Sequence, residues 1–569
     1  AEWKELFDVD IQSVNDLKEE KYLVLDTKFF DMKFKYKLLS EFDNLDEQID
    51  GVLINSENFG ALNLLQTRHK EQVKTVYIDP PYNTGSDFLY NDSYRHSSWI
   101  TFIQDRLLMM KKFMAKSSRF FCSIDDRENN RLLELLYLHL GKENYLGAIT
   151  WEKRTKSQNT KTSKYMLQSK IEYIHPFRFE DKRQEFNLEV SGQKEYLEED
   201  KVGNFRYQRI EEMSSEDIRG RQTMIYPILN VLPKNGNQWK LGKDTIYPLI
   251  DEGKVVVRDN KPYIITRPED EDQNKHKPFW SHFFDKDTYG TAETGLKMIN
   301  KDFGFGKDFD TVKPIQLITK LLFHDTGKSQ IILDYFAGSG TTGHAVINLN
   351  REDNGTRKYI LVEMGEYFDT VTKPRIQKVI YSDSWKDGKP TTKNGISQIF
   401  KYFKLESYED TLNNLEFKKT KEQNEALDLY ADAKEDYILN YSLRFESQGS
   451  LLNIDTFSTP FNYKLKIATS SVGETKDTNI DLVETFNYLL GLVVERVKFD
   501  DGFLTVVGKN LKNTKILVIW RDKKSSKELN NFVKKIKLDK YDDIYINGDT
   551  NLENVKLIEQ EFKRLMFNE

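Results

Sequence analysis

A chain of 569 residues is too long for one hydrophobic core and implies about three to five domains. With 38% hydrophobic and 31% charged residues it has the composition of a soluble multi-domain protein, and its single cysteine, Cys122, excludes an intramolecular disulfide and a cysteine-based zinc cluster. The net charge of −6 argues against a uniformly basic surface, yet Lys153 to Arg183 carries nine Lys and Arg against three acids, which suits phosphate contacts as well as it suits a solvated loop.

The first residues, Ala1-Glu2-Trp3-Lys4-Glu5, bring early acids and no apolar run, so no signal peptide is expected there, and a start at Ala1 fits a processed or engineered end. No apolar stretch is long enough to cross a membrane, and the cytoplasm is the expected location. Residues 1–50 are charged and leucine-bearing, with helical spacing from Asp10 to Lys21, and are expected to form a helical extension.

Val52-Leu53-Ile54 begins the next region as a strand that passes into a helix through Asn55-Ser56-Glu57-Asn58, where Glu57 suits the positive end of the helix dipole. A second buried strand, Val76-Tyr77-Ile78, delivers Asp79 to its carboxyl end, followed by Pro80-Pro81-Tyr82-Asn83-Thr84-Gly85. Neither proline has an N–H, and Pro81 biases Pro80 toward extended backbone, so an acid, free carbonyls and an aromatic ring occupy consecutive positions. That set suits methylation of an exocyclic amine on a nucleobase. Such an amine is a poor nucleophile because its lone pair is delocalised into the ring. Accepting one hydrogen on the Asp79 carboxylate and one on the Pro80 carbonyl favours a tetrahedral nitrogen, while Tyr82 offers a ring on which a base turned out of a duplex can stack. A tight turn after a core strand, with Asp79 capping a neighbour, accounts for the tetrapeptide equally well.

Ser86 to Ser97 has no clear period and is expected as a mobile loop over the site. A helix from Trp99 to Met114, a strand from Arg119 to Ile124 with Cys122 as a packed core thiol, and a helix from Arg131 to Leu140 then alternate as in a parallel sheet. From about 155 to 300 turn signals such as Pro233-Lys234-Asn235-Gly236-Asn237 break up short runs such as Val255-Val256-Val257 and Tyr263-Ile264-Ile265, the pattern of an inserted α+β domain. Inserts on a rigid sheet are where recognition commonly lives, and Lys161, Lys164, Arg206, Arg209, Arg219 and Arg221 are candidate base or phosphate contacts. Gly327-Lys328-Ser329 resembles the end of a P-loop, but Leu322 stands where that pattern needs glycine and a strand follows, so no ATP site is expected.

Ile331-Ile332-Leu333-Asp334-Tyr335-Phe336-Ala337-Gly338-Ser339-Gly340-Thr341-Thr342-Gly343 reads as a strand, a glycine turn and a helix start, where backbone can approach a ligand closely. The next strand, Tyr359-Ile360-Leu361-Val362, ends in Glu363, the position at which nucleotide-binding α/β folds hold a ribose hydroxyl. Alone this implies only a Rossmann-like nucleotide site.

Together the two stretches resemble the amino-methyltransferases of DNA, with Asp79, Pro80, Pro81 and Tyr82 as the catalytic DPPY motif. Asp334, Phe336, Ala337, Gly338, Ser339 and Gly340 then correspond to the S-adenosylmethionine loop. The catalytic motif precedes the cofactor motif, which resembles the circularly permuted β class. Asn83-Thr84-Gly85, Phe121 to Glu128, Leu405 to Leu412 and Val483 to Leu489 resemble the modification (Mod) subunit of Type III restriction-modification systems. This resemblance implies a Rossmann-like α/β core in two halves, 51–154 and 301–400, with a target recognition domain at 155–300 and a C-terminal α/β domain at 401–569 for dimerisation and docking of the restriction (Res) subunit. It implies double-stranded DNA as substrate, S-adenosylmethionine as cofactor and no metal. It also makes Glu57 and Glu363 cofactor contacts, with Thr311, Lys313 and Pro314 lining the methionine end. Asp79 rather than serine favours adenine N6 over cytosine N4. A binding module that reads DNA for a partner nuclease without catalysis is the alternative of a different class, and failure to bind the cofactor is what it predicts. Beyond residue 400, helices are expected over Leu405 to Leu415, Asn424 to Leu439 and Leu552 to Met566, with strands at Phe503 to Val507 and Ile516 to Trp520.

Overall fold

The computed structural model describes the chain except residues 1, 86–91, 157–163, 166, 181–182, 191–194, 217–219, 272–275, 307–308, 310, 408–409, 411–413, 415–456, 469–473 and 568–569. Lys161, Arg219 and the helix expected from Asn424 to Leu439 therefore lie outside the described residues, as does most of the one expected from Leu405 to Leu415. The described residues form two compact units, one of 1–186 with 280–569 and one of 187–279.

The larger unit is built on a nine-stranded sheet. Its strands are β1 (Gly51–Asn55), β2 (Val73–Ile78), β3 (Met114–Ile124), β4 (Ile149–Glu152), β5 (Ile171–Glu180), β6 (His282–Phe283), β7 (Ile331–Asp334), β8 (Lys358–Glu363) and β9 (Phe400–Lys404), in the spatial order β6-β4-β5-β3-β2-β7-β8-β1-β9. β3, β2, β7, β8, β1 and β9 run parallel, and the apolar runs of β2 and β8 are buried, as strands covered on both faces require. The flanking helices include α1 (Asn58–His69), α2 (His96–Lys111), α3 (Asn129–Leu140), α4 (Ile315–Asp325), α5 (Thr341–Asp353) and α6 (Thr372–Tyr381). The permuted Rossmann-like order is the observed one: β2, which ends at Asp79, pairs directly with β7, which ends at Asp334.

The parallel pattern ends at β5, which pairs antiparallel with both β3 and β4. This moves the edge of the insert, expected at 155–300, to 187–279. Residues 171–180 fall in the range expected for the insert, but they pair antiparallel with β3 and β4 and extend the main sheet. β6 likewise belongs to this sheet through its pairing with β4.

The smaller unit has the expected α+β make-up: a four-stranded sheet that includes Asn204–Arg209, Val255–Arg258 and Lys261–Thr266, a second, two-stranded antiparallel pair, and the helix Lys243–Asp251. Its core gathers Ile210, Tyr226, Ile228, Trp239, Ile246 and Val255, with the Trp239 indole N–H donating to the Tyr226 carbonyl. Arg206 is ion-paired with Glu271, whereas Arg209 and Arg221 are exposed.

The C-terminal strands Val493–Asp500, Phe503–Lys509, Lys515–Arg521, Asp543–Ile546 and Lys556–Leu557 form a five-stranded sheet, and the closing helix is Ile558–Phe567. Expected as a separate domain, this region shares one apolar cluster with the nine-stranded core through Phe486, Leu504 and Trp520. Buried Asp46 joins the two by accepting the Val494 N–H and pairing with Arg68 and Lys401. Residues 1–50 carry three short helices, and Phe7 packs on Tyr381 with ring centroids 4.7 Å apart. Among the described residues no helix is long and apolar enough to cross a membrane.

Candidate active site

The carboxyl ends of β2, β7 and β8 place Asp79, Asp334 and Glu363 on one rim of the sheet, where ligands of open α/β folds bind. The turn that follows β2 is fixed from α2, where the buried Trp99 donates its indole N–H to the Pro81 carbonyl at 2.8 Å. Among the described residues no hydrogen bond of the chain occupies the Pro80 carbonyl, so the carbonyl expected to accept an amine hydrogen is the one left available. Tyr82 donates its hydroxyl to Asp79 Oδ1 at 2.7 Å, with Glu172 Oε2 at 3.2 Å. Its phenol is pushed well above the ordinary range by burial and by the Asp79 and Glu172 carboxylates, so it stays a donor.

Asn83 anchors what comes next. Its side chain accepts the Tyr94 N–H at 2.7 Å and donates to Glu128 at 2.7 Å, while Asp92 accepts the backbone N–H groups of Asn83 and Thr84. Of the loop expected from Ser86 to Ser97, residues 86–91 lie outside the described residues, residues 92–94 are tied down in this way, and His96 already begins α2. Cys122 is buried and its thiol is pushed up by burial, as a packed core residue.

The glycine turn after β7 depends on left-handed backbone at Gly338, φ +51°, and Gly340, φ +83°. A Cβ at Gly338 would meet no atom within 4 Å, so the loop leaves open space above itself. At Gly343, in the first turn of α5, a Cβ would lie 2.7 Å from Leu361, and glycine lets the helix sit close on β8. Glu363 Oε2 accepts the Gly338 N–H at 2.8 Å and Oε1 accepts those of Met364 and Gly365, both at 2.9 Å. Three of its roughly four acceptor sites are thus used, leaving about one for a ribose hydroxyl. Ala337 donates its N–H to the Val362 carbonyl, and the Ser339 hydroxyl oxygen accepts from buried Arg375 at 2.8 Å, so both hold the turn in shape. Arg375, which the sequence does not single out, also donates to Thr341 Oγ1 at 2.9 Å.

Asp334 accepts the Phe336 N–H at 3.1 Å and the Thr342 hydroxyl. Burial, added to by Asp79 and Glu363, pushes its carboxyl up to about 7 from 3.8 against those two hydrogen bonds. Between these values the folded chain holds a proton that the unfolded chain has released. The Asp334 contribution to stability is therefore full below about pH 4 and falls as pH rises to about 7. The expected result is that Asp334→Asn flattens the fall in stability between pH 5 and pH 7, measured as the difference in denaturation midpoint from wild type.

Glu57 and Lys313, both expected as cofactor contacts, have polar partners within the chain. Glu57 caps α1, accepting the N–H groups of Phe59 at 2.7 Å and Gly60 at 3.1 Å and pairing with Arg106, so its carboxylate serves the helix end. Thr311 is exposed, and Pro314 packs against Gly290. Lys313 turns its ammonium to Asp79, Tyr82 and Glu172, while its carbonyl accepts from Thr341 at 3.3 Å.

An acid-rich rim facing a glycine turn with open space above it suits a cationic nucleoside such as S-adenosylmethionine. A permuted Rossmann-like sheet carries this rim and the Asp79-Pro80-Pro81-Tyr82 turn on adjacent strands, the arrangement expected of an amino-methyltransferase. The DNA methylase (N6_N4_Mtase) family matches residues 73–373, more than half of the chain, and the chain belongs to that family. It is similar to the EcoPI Mod subunit of a Type III restriction-modification enzyme from Escherichia phage P1, 26% identical over 419 residues that cover 62% of each chain. It is similar to the Type II methyltransferase M.KpnI of Klebsiella pneumoniae, 29% identical over 419 residues, 66% of this chain and 94% of that one. It is also similar to the EcoP15I Mod subunit of Escherichia coli, 24% identical over 388 residues, 55% of this chain and 58% of the relative. The chain thus spans less than two thirds of the length of these Mod subunits.

Proposed function

We propose that the chain transfers a methyl group from S-adenosylmethionine to N6 of an adenine turned out of double-stranded DNA, as the modification and recognition subunit of a Type III system. The observation that carries this reading is the Asp79 carboxylate with the available Pro80 carbonyl, on a strand hydrogen-bonded to the one that bears the glycine turn. S-adenosylmethionine, when bound, supplies a methyl group already activated on a sulfonium. Asp334, Phe336, Gly338, Gly340 and Glu363 would hold it, with Ala337 and Ser339 keeping the turn in shape. The task left to Asp79 and Pro80 is to accept the two amine hydrogens and orient the nitrogen lone pair, so catalysis is mostly positioning. The Tyr82 ring, its hydroxyl fixed on Asp79, supplies a stacking face that offsets part of the few kcal/mol a flipped base loses.

Residues 187–279 are the target recognition unit in this reading, with exposed Arg209 and Arg221 available to DNA. In this reading the C-terminal region is the surface for a second copy and for a Res subunit, the latter in keeping with the Mod subunits that the chain is similar to. Incubation of the purified chain with unmethylated genomic DNA and S-adenosylmethionine, followed by modification-sensitive sequencing, tests the reading. Methyladenine on one strand of a short asymmetric site is the expected result. Methylation of both strands of a palindrome would point to a stand-alone Type II enzyme.

A further inference from the structure

The contact around Asp79 that no motif announces is an alternating chain of four charges, Lys153, Glu172, Lys313 and Asp79. Lys313, with 8% of its side chain exposed, places Nζ 2.8 Å from Asp79 Oδ1, 2.7 Å from Oδ2, 2.9 Å from Tyr82 Oη and 3.2 Å from Glu172 Oε2. Glu172, on β5 and 7% exposed, also takes Lys153 Nζ at 3.1 Å. Burial alone would lower the Lys313 ammonium, but Asp79 and Glu172 hold it above its ordinary value, so it is charged when the site works. The three donors of an ammonium are fully committed by this geometry.

The two oxygens of Asp79 are not equivalent. Oδ1 accepts from both the Tyr82 hydroxyl and Lys313, which uses its two lone pairs, whereas Oδ2 accepts from Lys313 alone. Oδ2 is therefore the oxygen with acceptor capacity to spare. An aspartate carboxylate turns readily about its last bond, and the bidentate Lys313 contact together with the Tyr82 hydroxyl fixes its plane.

We propose that Lys313 and Glu172 are positioning residues of methyl transfer: Lys313 clamps the Asp79 carboxylate so that Oδ2 faces the amine hydrogen, and Glu172 fixes Lys313 from the opposite side. This rests on the methyltransferase reading above. It assigns Lys313 to the catalytic acid rather than to the methionine end of the cofactor, where the family resemblance places it. Glu172 enters the site from the antiparallel strand β5 and acts only through Lys313 and Tyr82.

The test uses the full chain with Lys313→Gln, Lys313→Arg and Glu172→Gln. Cofactor affinity is measured by calorimetry, folding by circular dichroism, and methyl transfer to DNA by single-turnover kinetics. A carboxylate misplaced by about 1 Å costs on the order of a hundredfold in rate. Lys313→Gln is expected to lose about that much with cofactor affinity changed by less than about threefold. Lys313→Arg should recover part of the rate, and Glu172→Gln should lose about tenfold with unchanged cofactor affinity. If Lys313→Gln does not fold, the other two variants carry the test. A Lys313 variant that binds cofactor much more weakly yet transfers methyl at the wild-type rate when saturated overturns the proposal, as does a wild-type rate in Glu172→Gln. A wild-type chain that binds the cofactor and methylates no DNA removes the reading beneath the proposal, and the proposal with it.

Discussion

Asp79→Ala is expected to lower methyl transfer by about a hundred- to a thousandfold and to leave cofactor affinity close to wild type. The magnitude is that of removing one preorganised electrostatic contact from a water-excluded site. Asp79 stands at the end of β2, and the groups assigned to the cofactor stand on the neighbouring strands, so the loss should fall on the rate at saturating cofactor. The substitution also strips Lys313 of its nearest counter-ion, leaving Glu172 to hold it. Asp79→Asn keeps the volume and one acceptor oxygen, and separates loss of the carboxylate from rearrangement around Lys313. Single-turnover rates beside calorimetric cofactor binding read this directly, and an alanine variant at near-normal rate would overturn the assignment of Asp79.

Arg119→Ala is expected to destabilise the nine-stranded unit by about 3–5 kcal/mol, the cost of stranding one partner of a buried ion pair. Arg119, 1% exposed on β3, pairs with Asp325 at the last residue of α4, donates to the Gln184 carbonyl at 2.6 Å and lies 3.8 Å over the Phe186 ring. Without it, buried Asp325 keeps, among the described residues, the Thr75 hydroxyl and a long contact to Gln184 at 3.4 Å. Replacing both partners, Arg119→Met with Asp325→Leu, should recover most of the stability, because no charge is then left buried alone. Denaturant unfolding followed by tryptophan fluorescence compares the three. The pair also has a functional consequence: α4 begins two residues after Lys313, so loosening its far end should slow methyl transfer beyond what lost stability explains.

The two motif loops were legible because each requirement is local. A strand delivering an acid into two prolines, and glycines at positive φ before a helix, are written in adjacent residues. Spacing also brought Glu363 correctly to the end of β8, beside Gly338. What the sequence did not show is contact across distance. The Lys313 ammonium meets Glu172 only because β5 folds back antiparallel beside β3, and nothing local in Ile171-Glu172-Tyr173 signals that return. The same strand hid the start of the insert, which begins near residue 187 rather than 155. The capping of α1 by Glu57 was legible as well, because an acid at the first turn of a helix is a local pattern. Arg375 escaped notice because an arginine at helical spacing in Thr372–Tyr381 reads as surface, yet that whole helix is buried and this guanidinium is what holds Ser339.

The most direct test of the central claim is transfer of labelled methyl from S-adenosylmethionine to unmethylated DNA by the purified chain, with the product digested to nucleosides and resolved by mass spectrometry. Label in N6-methyldeoxyadenosine, absent from the Asp79→Ala reaction, is the predicted result. Label in N4-methyldeoxycytidine would move the substrate to cytosine, and no label despite measured cofactor binding would contradict the account.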